Sequence, residues 1–126
     1  MHQASGKPIG IILTSVDDAS MAKSLARGLI AAHLAACVQI SPAGTSIYRW
    51  TEDDSSGDSK SDQQREIQEA SEYYLSIKAP MHRINEIISW LQRQHPYDTP
   101  EIVILEAQAA SAYAEWVQQV AGTSNP

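Results

Sequence analysis

The chain has 126 residues, enough for one domain with a core of its own and too few for two. Its 43% hydrophobic and 19% charged residues are the shares of an ordinary globular protein, and no apolar run approaches the roughly 20 residues that cross a bilayer. A formal charge of -6 argues against recognition of nucleic-acid phosphates, and a single cysteine, Cys37, excludes an intramolecular disulfide.

Residues 1–7 (MHQASGK) lack the apolar core of a secretory signal, so a flexible N-terminus and a cytoplasmic location are expected. Ile9-Gly10-Ile11-Ile12-Leu13 is apolar on both faces and reads as a buried strand. Asp17 and Asp18 then offer N-caps to a helix whose stripe is Ala22, Leu25, Ala26, Leu29 and Ile30. Cys37 to Ile40 forms a second strand, which the Pro42–Gly44 stretch bends or bulges before it continues as Ser46-Ile47-Tyr48-Arg49-Trp50.

Residues 51–68 (TEDDSSGDSKSDQQREIQ) are polar and have almost nothing to bury, so they read as an insertion at a hairpin tip. Asp53, Asp54 and Asp58 lack the ligand spacing and closing glutamate of a calcium loop. From Tyr73 to Lys78 the chain alternates, with Tyr73, Leu75 and Ile77 on one face and Tyr74, Ser76 and Lys78 on the other. Ile84, Ile87, Ile88 and Leu91 mark a second helix. Ile102 to Leu105 is a further strand. Tyr113, Trp116, Val117 and Val120, after a capping Ser111, mark a closing helix, and residues 121–126 are expected to be a flexible end. The order strand, helix, strand, strand, helix, strand, helix predicts one α+β domain over 1–126: a ferredoxin-like βαββαβ sandwich with an extra C-terminal helix and its helices on one face of an antiparallel sheet.

The densest chemistry lies in His95-Pro96-Tyr97-Asp98-Thr99-Pro100-Glu101, where two prolines stiffen a loop between helix and strand and push His95 and Thr99 into extended backbone. Without a ligand, the same segment is simply a stiff connector. Imidazole and thiolate suit copper, and carboxylates complete a Cu(II) site, so His95, Cys37, Asp98 and Glu101 are the candidate ligands for Cu(II) or another divalent cation. Against this, Cys37 between Ala36 and Val38 also reads as a small buried hydrophobe. His2 and His82 read as surface residues. A second constellation, Tyr48, Trp50, Lys78, Tyr97, Glu101 and Trp116, suits either a cleft for a small effector or a subunit interface, with Glu101 as the expected partner of Lys78. No nucleophile elbow, phosphate loop or metalloenzyme motif is present, so binding is expected rather than catalysis.

Leu34-Ala35-Ala36-Cys37-Val38, Ser46-Ile47-Tyr48-Arg49-Trp50, Lys78, His95-Pro96-Tyr97 and Pro100-Glu101, with Thr14, Tyr113 and Trp116, together resemble the CutA divalent-cation tolerance family from about Ile9 to Val117. The resemblance implies a homotrimer whose long strands reach across to neighbouring subunits, in an architecture similar to the PII signalling proteins with their intersubunit effector clefts. It implies a role in the response to metal ions; a PII-like sensor or scaffold is the alternative. The chain departs from the family at Thr51, which begins the acidic stretch in place of a short glycine turn, and at Ala79 and Asp98. Leu13 and Gln94 stand where copper-linked relatives carry a cysteine and a second histidine.

Overall fold

The computed structural model describes residues 7–49 and 66–122. In chain order its elements are β1 (Ile9–Val16), α1 (Ala19–Ala31), β2 (Cys37–Ile40), β3 (Gly44–Arg49), β4 (Ile67–Pro80), a 3-10 turn (Met81–Arg83), α2 (Ile84–Gln94), β5 (Val103–Ala107) and α3 (Ser111–Ala121). The sheet order is β2-β4-β1-β5, with β3 also paired to β4 and every pairing antiparallel. β4 thus lies between β1 and β2, and β1 between β4 and β5. Each helical crossover skips a strand, which is the split βαβ arrangement expected from the element order.

The side-chain period of two divides the sheet into two faces. Ile12 packs with Ile77, Leu29, Ile87 and Leu91, while Val16 packs with Leu75, Ala22 and Leu25, so α1 and α2 cover this face. Gly28 is the point of closest approach between them: a Cβ there would lie 2.6 Å from Cζ2 of Trp90. Asp18 caps α1 as expected, accepting the Met21 N–H at 3.1 Å. His33 closes the helix in left-handed backbone, φ 58°, and the His33 and Leu34 amides bond back to the carbonyls of Ile30 and Leu29.

Not all the helices share that face. Ile9, one residue out of phase with Ile12, packs with Ala114 and Val117, so α3 lies on the other side of the sheet. Its inward stripe is Ala114, Val117 and Ala121. Tyr113, Trp116 and Val120, expected to share that stripe with Val117, stay exposed, because small alanines let the helix sit close to Ile9. Ser111 is the first residue of α3 and Ala110 holds the cap position. Ala121 is buried rather than part of a loose end, and its carbonyl accepts from Arg83 Nε at 2.8 Å. His82 is exposed, as expected, and donates from its ring to the Gly122 carbonyl at 2.6 Å.

Two strand limits also shift. β4 begins at Ile67, so the last two residues of the expected insertion belong to a strand; residues 51–65, the ends 1–6 and 123–126, and Trp50 lie outside the described residues. β5 begins one residue later than expected, at Val103, and ends two later, at Ala107.

The bend at Pro42–Gly44 is a bulge. Ile40 faces Leu75 and Gly44 faces Glu72, so four steps on one strand oppose three on the other. Beyond it, β3 and the first half of β4 form a two-stranded ribbon that projects past the end of β1, where Val16 pairs with Tyr73.

Candidate functional site

α2 stops at Gln94 because Pro96 forces His95 out of helical backbone; its φ and ψ are -71° and 138°. The expected extended conformation is therefore present. The side chain is nonetheless buried, since His95 is only 7% accessible. Its ring is held at both nitrogens. The Tyr97 backbone N–H, which can only donate, meets Nδ1 at 3.1 Å, and Nε2 lies 2.9 Å from the Ser15 carbonyl, which can only accept. The hydrogen must therefore sit on Nε2. Burial lowers the pKa of His95 below its ordinary value, opposed by the Ser15 carbonyl and by the charges of Glu72 and Asp17.

Tyr97 extends this tie to the ribbon. Its ring meets that of His95 edge-on, with centroids 4.8 Å apart, and its hydroxyl donates to Glu72 Oε2 at 3.1 Å. Burial, and then Glu72, raise the Tyr97 phenol well above the ordinary range. Glu72 is itself 7% accessible. One hydrogen-bonded chain thus joins the end of β1, the 95–101 loop and β4.

Between the ribbon, the end of β1 and this loop lies a cleft of about 910 Å³. Asp17, Glu72, Asp98 and Glu101 line it together with Tyr48 and Tyr97, and its described lining residues include no lysine, arginine or histidine. Such a cleft attracts cations and repels anions.

The expected ligand set does not assemble. Asp98 and Glu101 reach the cleft, but both His95 nitrogens are already engaged. Cys37 pairs with Lys78, which pairs with Ile11, whereas His95 binds at Ser15. Those positions are four residues apart along β1, roughly 13 Å. Cys37 is hydrogen-bonded to Tyr113 of α3, whose phenol is pushed up by burial and by that thiol. Among the described residues, no group of three or more His, Cys, Asp or Glu side chains is placed to hold a metal ion.

The second constellation also divides. Tyr48, Tyr97 and Glu101 line the cleft; Lys78 donates to Gln39 Oε1 rather than to Glu101, and Trp116 lies on α3 beside Tyr113. Glu72, Asp17 and Ser15 were not among the expected site residues. Extending the Tyr74, Ser76, Lys78 face one step back would have found Glu72. The side chain of Thr14, at the end of the first apolar strand, is buried on the helix face with an unpaired hydroxyl.

These features define a small mixed α/β protein with an antiparallel sheet, an acidic cleft at one end and an apolar face left partly open. The family model described as CutA1 divalent ion tolerance protein matches residues 10–120, and the chain belongs to that family. The divalent-cation tolerance protein CutA of Thermus thermophilus is 33% identical over 113 residues, covering 89% of this chain and 97% of its own length. The protein of the same name from Pectobacterium atrosepticum is 33% identical, over 85% and 86% of the two chains. The structure of CutA from Synechococcus elongatus superposes with a TM-score of 0.77 at 30% identity, over 95% and 93%. Among the described residues, no helix is long and apolar enough to cross a membrane.

Proposed function

We propose that this divalent-cation tolerance protein works as a non-catalytic homotrimer and that its acidic cleft receives a divalent cation. The observation that carries the reading is the cleft wall, with four carboxylates and no basic side chain among its described residues. Asp98 and Glu101 would meet the ion. Carboxylate oxygens bind divalent cations generally, and Cu(II), which leads the first-row divalent ions in affinity for a given oxygen or nitrogen site, is the ion to try first. A PII-like anionic effector fits the cleft less well, because Lys78, the cation expected to meet it, lies elsewhere on the sheet.

The trimer is supported by the face beside α3. Val103 and Leu105 are 44% and 46% accessible there, next to half-buried Ile11 and Leu13, and Trp116 and Val120 stand open on the helix. Such a surface is apolar enough to be covered by another copy. A cytoplasmic location fits the lone cysteine; one structural relative, from Archaeoglobus fulgidus, is described as periplasmic.

Calorimetric titration with Cu(II) tests the cleft. Saturable binding by the wild type, weakened at least tenfold in Asp98→Asn/Glu101→Gln, is the expected result. Equal affinity in the two proteins would refute the cleft as the site. Light scattering that found a folded monomer would refute the trimer.

A further inference from the structure

His95 is a buried titratable group that the proposed binding does not use. We infer that it is a pH-operated latch: neutral, it ties the 95–97 segment to the end of β1, and protonated, it lets that wall of the cleft go.

The polarity of its contacts makes the case. Tyr97 N–H points at Nδ1 from 3.1 Å, and the Ser15 carbonyl takes the hydrogen of Nε2 at 2.9 Å. A second proton has only Nδ1 to occupy. There it would set N–H against N–H, removing one bond and replacing it with repulsion. A ring flip would give up the Ser15 bond, and at 7% accessibility water offers little relief.

The charged and titratable groups around the ring come from three places. Glu72 faces it from β4, Asp17 from the turn after β1, and the Tyr97 phenol from its own loop. Both carboxylates favour the imidazolium, yet neither is hydrogen-bonded to it: Glu72 is held by the Tyr97 hydroxyl. Burial outweighs their pull and keeps the closed ring neutral.

The sign follows. An imidazole freed by loop opening titrates near its ordinary value of about 6.5, above that of the latched ring. The closed loop is therefore fully favoured above about pH 6.5. Its advantage then falls on acidification, by no more than about tenfold per pH unit, until the latched ring itself protonates. Tyr97 leaves with the loop, so Glu72 loses its phenol partner and the cleft opens.

Amide hydrogen exchange on the full chain tests this without any ligand, so the result is independent of what the cleft binds. After correction for intrinsic rates, protection of the Tyr97 amide should fall severalfold, at most about fivefold, between pH 6.5 and 5.5, while the Ile77 amide in the core keeps its protection. His95→Gln, which does not titrate, should show no such fall. Unchanged protection in the wild type, or an equal fall in His95→Gln, overturns the latch. Imidazole nitrogen spectra of the wild type decide the matter even if the variant does not fold. They should show the Nε2–H tautomer at pH 7.5 and a protonation that the Tyr97 amide shift follows. An Nδ1–H tautomer, or a titration that leaves Tyr97 unmoved, overturns it equally.

Discussion

Tyr97→Phe removes one oxygen from the chain that joins loop to ribbon. The ring would keep its edge contact with His95, so apolar burial scarcely changes, and the loss is the 3.1 Å bond to Glu72. A hydrogen bond to a charged group is worth about 1.5–3 kcal/mol, with the larger figure for an acceptor stranded away from water. Glu72 is 7% accessible but borders the open cleft, so water can replace part of what the phenol supplied. The lower end, about 1.5 kcal/mol or roughly tenfold in the folding constant, is therefore expected. Urea unfolding at pH 7.5 and fixed protein concentration would measure it, with Glu72→Gln and the double variant completing a cycle. A coupling energy indistinguishable from zero would refute the claim that this bond holds the loop.

Three further outcomes follow from single features. Thr14→Val deletes a buried hydroxyl that has no partner, so denaturant unfolding should show a gain of about 1–2 kcal/mol; a loss would mean the hydroxyl has a partner such as a trapped water. His33→Gly relieves a left-handed residue at the end of α1 and should stabilise by about 0.5–1 kcal/mol in the same assay. Tyr97 and Tyr113 both have raised pKa values, chiefly through burial, whereas unfolded tyrosine ionises near pH 10. Stability should thus be intact below about pH 10 and fall above it, and absorbance titration should find fewer tyrosinates in the native than in the unfolded protein at about pH 10.5.

Local pattern carried most of the fold. The stripe of α1, the Asp18 cap, the alternation through Leu75 and Ile77 and the break at Pro42–Gly44 are each written in neighbouring residues, and each appears in the structure. What local pattern could not supply was the face on which α3 lies. Val117 belongs equally well to a stripe with Trp116 and Val120 or to one with Ala114 and Ala121, and only the close fit against Ile9 selects the second. Which of the candidate site residues come together was hidden for a related reason. His95, Cys37 and Lys78 are chemically expressive residues, but ligand sets depend on register across strands, and register put Cys37 and Lys78 near Ile11 while His95 went to Ser15.

The bulge decides which residues the cleft receives. Val38 and Ile40 face the helices, opposite Ile77 and Leu75. In an unbroken strand, Ser46 and Tyr48 would share their parity and point into the same core. The extra residue between Ile40 and Gly44 reverses the parity, so Ser46 and Tyr48 lie opposite Ala70 and Gln68 on the face that also bears Glu72. Ser46 Oγ then meets the Tyr74 hydroxyl at 2.9 Å, which fixes the ribbon to the sheet on that side. The Ser41 Oγ accepts the Tyr74 amide at 3.2 Å, which braces the bulge itself. One inserted residue therefore turns a strand that begins in the core into one wall of an acidic cleft, and the His95–Tyr97 loop, tied to Ser15 and Glu72, supplies the wall opposite.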